Sequence, residues 1–298
     1  MKKLLVVLLS LISLVSLIGC SPKKVETLSV VCPQGAPLIA IAGVEDQALE
    51  VVNGASPLQA ALTAATYDIV IAPVALGTKL YIKGASKYKI AAVITMNNTY
   101  LVCKHEFSAS DLEGKTILAY GEGTAPDGVL QSYLKNHNVT ASIDYVSSVS
   151  DVTAPFVKGD YEYALMAEPV ISNLKIKKSL DLKTIELNGS DVLPQAAIYV
   201  NSDIIETKSA SVKAYLKAVK ANIEKIADDG EGYIDTIIDS QDYFTTLGSD
   251  VLKATIKNIG MCYIKARASE LESYYTFINA FAPTIIGGTP DNTYYYEQ

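Results

Sequence analysis

The chain of 298 residues has a single arginine, Arg267, two histidines, His105 and His137, and four cysteines, Cys20, Cys32, Cys103 and Cys262. One arginine leaves one place for a bidentate guanidinium clamp on a carboxylate or phosphate, and that place is far in sequence from every loop described below. Neither histidine has an HxxxH or CxxC partner, so no motif points to a metal site. Setting Cys20 aside, the cysteines are odd in number and widely spaced, so no disulfide framework is inferred and three mostly buried thiols are expected. Beyond the N-terminus no apolar run approaches 18 residues, so the rest of the chain has no membrane-spanning helix and is expected to be soluble and extracytoplasmic.

What is present is a folded chain: 49% of residues are hydrophobic and 19% charged, and the N-terminal run lifts the mean hydropathy to +0.22. Without residues 1–19, which include Lys2 and Lys3, 23 basic residues face 32 acidic ones, a formal charge of −9. That sign argues against a nucleic-acid partner. The length suits one large domain or two ordinary ones.

Residues 1–19 read as a secretory signal: basic Met1-Lys2-Lys3, an apolar run from Leu4 to Leu17, then Ile18-Gly19 before Cys20. This ending resembles the lipobox of bacterial lipoproteins, which implies cleavage before Cys20 and acylation of that residue. Buried acyl chains contribute about 0.8 kcal/mol per CH₂, enough for two or three to hold a protein on a membrane. Residues 20–26 read as a tether.

Thr27 to Cys32 is a β-branched strand ending in the loop Pro33-Gln34-Gly35-Ala36-Pro37. Leu49 to Val52 reads as a strand, Ser56 as the cap of a helix with Gln59 in the box position, and Asp68 to Ala72 as a fully buried parallel strand, followed by a helix from Val74 to Lys83. Strand, loop and helix thus alternate as in an α/β lobe. From Ala91 to Lys104 an apolar β-rich run is broken by Asn97-Asn98 and resumes, which reads as the chain crossing into a second lobe. Gln195 to Val200 reads as the return, although both runs also fit ordinary strands of one domain.

Between the crossings, the strand Thr116 to Tyr120 runs into Gly121-Glu122-Gly123-Thr124, with Thr124 as the expected cap and Asp127 in the box position. Such a helix start suits a polar or anionic group, but the P-loop ending GK[ST] is absent. Ser150 is expected to cap a helix through Val157, and Tyr163 to Ala167 is a strand ending at Glu168-Pro169. Helices are expected at Ser209–Ala227, Tyr233–Ile238, Asp250–Asn258 and Ser269–Ala280. The terminal Tyr294-Tyr295-Tyr296 either packs on the first lobe or frays.

In α/β sheets ligands sit beyond the carboxyl ends of strands. The expected lining of a cleft is therefore Gln34, Gly35, Ala36, Ser56, Ala72, Asn97, Gly121, Gly123, Thr124 and Glu168. Glu168 could be a donor-binding carboxylate or a base, but no second acid, histidine or nucleophile stands beside it in any motif, so no catalytic residue is assigned.

Several segments in order, Gly35-Ala36-Pro37, Tyr67 to Ala72, Asp111 to Ile117 and Ala167-Glu168-Pro169, resemble the type 2 solute-binding proteins of bacterial ABC importers. The resemblance is to the group that binds nitrate, sulfonates, taurine and thiamine precursors. It implies an α/β, periplasmic-binding-protein-like type 2 fold. Each lobe would be a mixed, mainly parallel sheet flanked by helices, with two hinge strands between, lobe I spanning 27–99 plus 197–298 and lobe II 100–196. It further implies a monomer without cofactor or metal that traps a small polar solute and passes it to a permease with a cytoplasmic ATPase. The first loop has no aromatic residue to stack on a ring and no arginine is near, which departs from binding of a thiamine precursor or a strongly charged oxyanion. Two alternatives stay open: an enzyme on the same fold, of the menaquinone or thiamine-precursor synthesis type, and a lipoprotein that senses solute.

Overall fold

The computed structural model describes residues 25–187 and 193–297. The signal segment, Cys20 and most of the tether lie outside the described residues. Two sheets organise the chain. The six-stranded sheet has the order β11-β4-β10-β3-β1-β2, made of β1 (Leu28–Pro33), β2 (Gln47–Val52), β3 (Ile69–Pro73), β4 (Tyr88–Met96), β10 (Pro194–Asn201) and β11 (Gly260–Lys265). The five-stranded sheet has the order β7-β6-β8-β5-β9, made of β5 (Tyr100–Cys103), β6 (Thr116–Tyr120), β7 (Ser142–Val146), β8 (Tyr163–Met166) and β9 (Lys183–Glu186).

The strands show the period of two that a sheet packed on both faces requires. In β3, Ile69 and Ile71 enter one apolar cluster while Val70 and Ala72 enter another. In β10, Ile198 and Val200 face the first, and Ala197 and Tyr199 the second. The second sheet repeats the rule: Leu118, Ala164 and Met166 join a small outer cluster, and Ile117, Ala119 and Leu165 the larger one.

Ten α-helices flank the sheets among the described residues: α1 (Ala36–Ile41), α2 (Ala55–Ala64), α3 (Val74–Ile82), α4 (Ala125–Asn136), α5 (Thr153–Lys158), α6 (Val170–Lys177), α7 (Ser209–Ile237), α8 (Asp242–Leu247), α9 (Ser249–Thr255) and α10 (Ala268–Phe281). Helix α7 joins two of the expected helices through a kink at Asp229, whose φ of −141° and ψ of 75° are not helical; Gly230 and Gly232 follow it.

Three caps differ from expectation. Helix α2 starts two residues early, with Gly54 at the cap, so Ser56 is exposed within the first turn and caps nothing. Ser150 lies inside a 3₁₀ turn, Val149–Val152, whose flanking Ser148 hydroxyl donates to Asp151 at 2.8 Å. Thr124 does stand at the cap of α4, but its hydroxyl donates backward to the Gly121 carbonyl. The Asp127 carboxylate takes the Gly123 N–H at 2.9 Å instead of closing a box.

The tyrosine-rich terminus is packed. Tyr294 is buried, and the Tyr296 N–H donates to the Ile90 carbonyl at 2.9 Å. The Tyr199 hydroxyl donates to the Val74 carbonyl at 3.3 Å and accepts from Tyr294 at 3.2 Å. Gly77 makes this possible, because a Cβ there would overlap the Tyr199 ring.

Candidate functional site

Strand directions fix where the loops go. In the first sheet β1 is parallel to β2 and β3, β10 is antiparallel to β3 and β4, and β11 is antiparallel to β4. Strands β1 to β4 therefore end on one edge, where β10 and β11 begin. In the second sheet β6 is parallel to β7 and β8, while β5 is antiparallel to β8 and β9. Strands β6 to β9 therefore end where β5 begins. Because β4 leaves the first sheet and β5 enters the second after only Asn97, Asn98 and Thr99, the two carboxyl edges meet at the crossing. The return from β9 to β10 joins the same two edges.

This places the loop of Gln34 and Gly35, the start of α2 with Ser56, and the end of β3 on one side. The Gly121–Thr124 loop and Glu168 lie on the other, and Asn97 between. Gln34, Ser56 and Gly123 are exposed, and Gly35, Gly121 and Thr124 half-buried. Gly121, at φ 75°, is in the left-handed region, and a Cβ there would crowd the Thr124 hydroxyl. Asp127 holds this loop, accepting also from Gln131 at 2.8 Å and from the Tyr145 hydroxyl at 2.5 Å. Burial and that carboxylate raise the Tyr145 pKa, so the phenol keeps its proton. Helices α2 and α4 start here without a side-chain cap bond, which leaves backbone donors for a polar guest.

Other expected lining residues are spent on the framework. Ala36 is buried, and Ala72 is sealed in β3 opposite Ala197. Asn97, at φ 46°, donates its N–H to the Leu193 carbonyl and accepts the Leu193 N–H on its side-chain oxygen, both at 2.9 Å, and so buckles the outgoing and return crossings together.

Glu168 is buried and fully engaged. Its carboxylate accepts from the Ser172 N–H at 3.0 Å, the Ser172 hydroxyl at 2.9 Å and the Asn258 amide at 3.2 Å. Burial raises its pKa, with the Ser172 and Asn258 hydrogen bonds and Lys175 opposing. The backbone of Glu168 is gripped by Asn98, whose oxygen accepts the Glu168 N–H at 2.7 Å and whose amide donates to the Glu168 carbonyl at 3.1 Å. Glu168 in this structure is thus a post for the crossing rather than a free carboxylate.

Asn98, Asn258, Tyr100 and Ser172 were not anticipated. Asn258, just after α9 on the first lobe, reaches Glu168 with its side chain, and its carbonyl accepts from Tyr100 of the second lobe at 2.7 Å. On the opposite flank Gly128 of α4 faces Ala282 and Ile285. The only signal for the buckle was Asn-Asn inside an apolar run.

Arg267 follows β11 at the edge away from the crossings. Among the described residues no three His, Cys, Asp or Glu side chains gather as a metal site, and no helix is long and apolar enough to cross a membrane. The Cys103 thiol lies 3.3 Å from His105 Nδ1, but burial pushes its pKa up, so it is not an activated thiolate. A cavity of about 980 Å³ lies between Ser108 and His137, at the end of the second lobe away from the crossings.

Two mixed sheets joined by paired crossings, with their carboxyl edges opposed, define a two-lobed α/β protein of the periplasmic-binding-protein type. The chain belongs to the NMT1/THI5-like family, whose profile matches residues 78–231, just over half of its length. Solved structures agree on the fold. An ABC transporter protein from Parabacteroides distasonis superposes with a TM-score of 0.72 at 21% identity, covering 92% of this chain and 100% of that one. The aliphatic sulphonate-binding protein SsuA from Escherichia coli gives 0.70 at 14% identity, covering 92% and 93%. The alkanesulfonate-binding SsuA from Xanthomonas axonopodis pv. citri, bound to MOPS, gives 0.68 at 15%, covering 91% and 96%. Comparison with curated protein sequences finds no match.

Proposed function

We propose that the protein is a lipid-anchored, extracytoplasmic solute-binding protein. Its lobes, 27–99 plus 197–298 and 100–196, close on a small polar organic solute and deliver it to an ABC permease with a cytoplasmic ATPase. Cys20 carries the anchor, and the protein acts as a monomer without cofactor or catalytic step. The observation that carries this reading is the meeting of two carboxyl edges at crossings held by Asn97 and Asn98.

The solute is contacted by Gln34, Gly35, Ser56, Gly121, Gly123 and Thr124, with Ala36 and Ala72 as the packed floor beneath. Asn97 and Glu168 act through the crossings in this conformation. With Arg267 at the remote edge, recognition falls to amides, hydroxyls and uncapped helix starts, which favours a neutral or zwitterionic solute over a bare oxyanion.

The test is thermal unfolding against a panel of sulfonates, pyrimidines, polyamines and vitamins. A ligand at about a hundred times its dissociation constant adds on the order of 2.7 kcal/mol. A clear shift with one polar class supports binding; turnover of that compound would favour an enzyme on this fold. A shift confined to simple sulfonates would contradict the solute class.

A further inference from the structure

The first half of α7 is strongly basic. Between Ser209 and Ala221 it carries Lys213, Lys217 and Lys220 and no acidic residue, whereas Asp228, Asp229, Glu231 and Asp235 follow farther on. Spacings of four and three put the three lysines on one face. That face meets the end of β11, where Lys265 completes a ring around a cavity of about 510 Å³ floored by Leu216 and Tyr263. Lys220 pairs with Glu224 at 3.6 Å, both exposed. Lys213, Lys217 and Lys265 form no ion pair among the described residues. Four ammonium groups thus border one hollow in a chain of net charge −7, and in the absence of an anion they repel one another.

A second observation says what approaches. The cavity lies between α7 and the edge strand β11, with Lys265 level with Ala92 in the middle of β4. The described chain starts beside α7: the Glu26 N–H donates to the Ser211 hydroxyl at 2.8 Å, on the same turn as Lys213 of the cavity. The five steps from Cys20 to Val25 reach at most about 18 Å. A membrane held at Cys20 therefore comes within reach of this face.

We propose that the cavity takes the headgroup of an anionic phospholipid. The lysines surround the phosphate, and Leu216 and Tyr263 pack against the glycerol. Docked this way, the first lobe rests its α7 and β11 side on the leaflet. The anchor enters only as what brings the bilayer close, so the binding is tested without acyl chains.

The experiment is partition of the mature chain carrying Cys20→Ser onto vesicles of phosphatidylcholine with and without phosphatidylglycerol. Binding is expected only with phosphatidylglycerol and should weaken with added salt. Lysines near an anionic surface contribute about fivefold each. The variant K213Q/K217Q/K265Q should thus bind roughly a hundredfold more weakly, with an unchanged melting temperature. The charge-matched variant K135Q/K158Q/K178Q on the second lobe should bind as the parent does. Equal binding to both vesicle types, equal losses in the two triple variants, or full competition by millimolar inorganic phosphate would each overturn the proposal. The last would make the cavity a site for a soluble phosphoanion. Its failure would leave solute binding and acylation untouched.

Discussion

The two lobes share a plan and differ in how they are held. The first lobe has apolar clusters on both faces of its sheet, reinforced by α7 and by the buried tyrosines of the C-terminus. The second is an excursion between β4 and β10, with a small outer cluster around Phe156, Leu174 and Met166. Its inner face shares the larger apolar cluster with the first lobe, and side-chain amides at Asn97, Asn98 and Asn258 fix how it is seated there. Apolar burial is strong but indifferent to direction, whereas amide pairs act only in one geometry. The amides at the crossings thus set the direction in which the second lobe is seated on the first.

Tyr199→Ala should remove about 3–5 kcal/mol, as for other buried aromatic deletions, and lower the melting of the whole chain. A similar loss confined to the second lobe would break the contrast. Asn98→Ala strips a buried N–H and carbonyl of their partners and should cost about 2 kcal/mol. Hydrogen exchange should quicken around β8 and α6 while β1 and β3 stay protected.

Glu168→Gln sharpens the contrast through pH. Burial raises the folded pKa above the usual 4.5, so the folded state prefers the protonated acid. Stability from this group is complete below the unfolded value and is lost as pH rises through the raised one. The parent should therefore lose stability relative to the glutamine variant as pH climbs from about 4 towards neutrality, read by denaturant unfolding at a series of pH values. A pH-independent difference would count against the buried-post role. At the low end, Lys257→Ala breaks an exposed 2.8 Å pair with Glu231 and should leave the melting temperature unchanged.

The sequence disclosed central strands far better than edges. β3 and β4 are continuous apolar runs because both faces are covered. The strands it did not disclose, β7, β9 and β11, all lie at sheet edges. Ser142-Ile143-Asp144-Tyr145-Val146 and Lys183-Thr184-Ile185-Glu186 are half solvated and carry no such run. Helix starts were placed to within a residue or two, but which hydroxyl caps which amide was not. Ser56 and Ser150 sit in plausible patterns one or two positions away from the geometry that would use them. At the site, the glycine loops were legible from type and spacing. The Asn98–Glu168–Asn258 chain was not, because its members are 70 and 90 residues apart and meet only after both sheets form.

The central claim is that solute draws the facing edges together. Spin labels at Asn53 and Glu122, both exposed and on opposite sides of the crossings, report that distance directly by pulsed dipolar spectroscopy. Addition of a compound that stabilises the protein should shift the distribution to shorter values and narrow it. An unchanged distribution at saturating ligand would contradict the account.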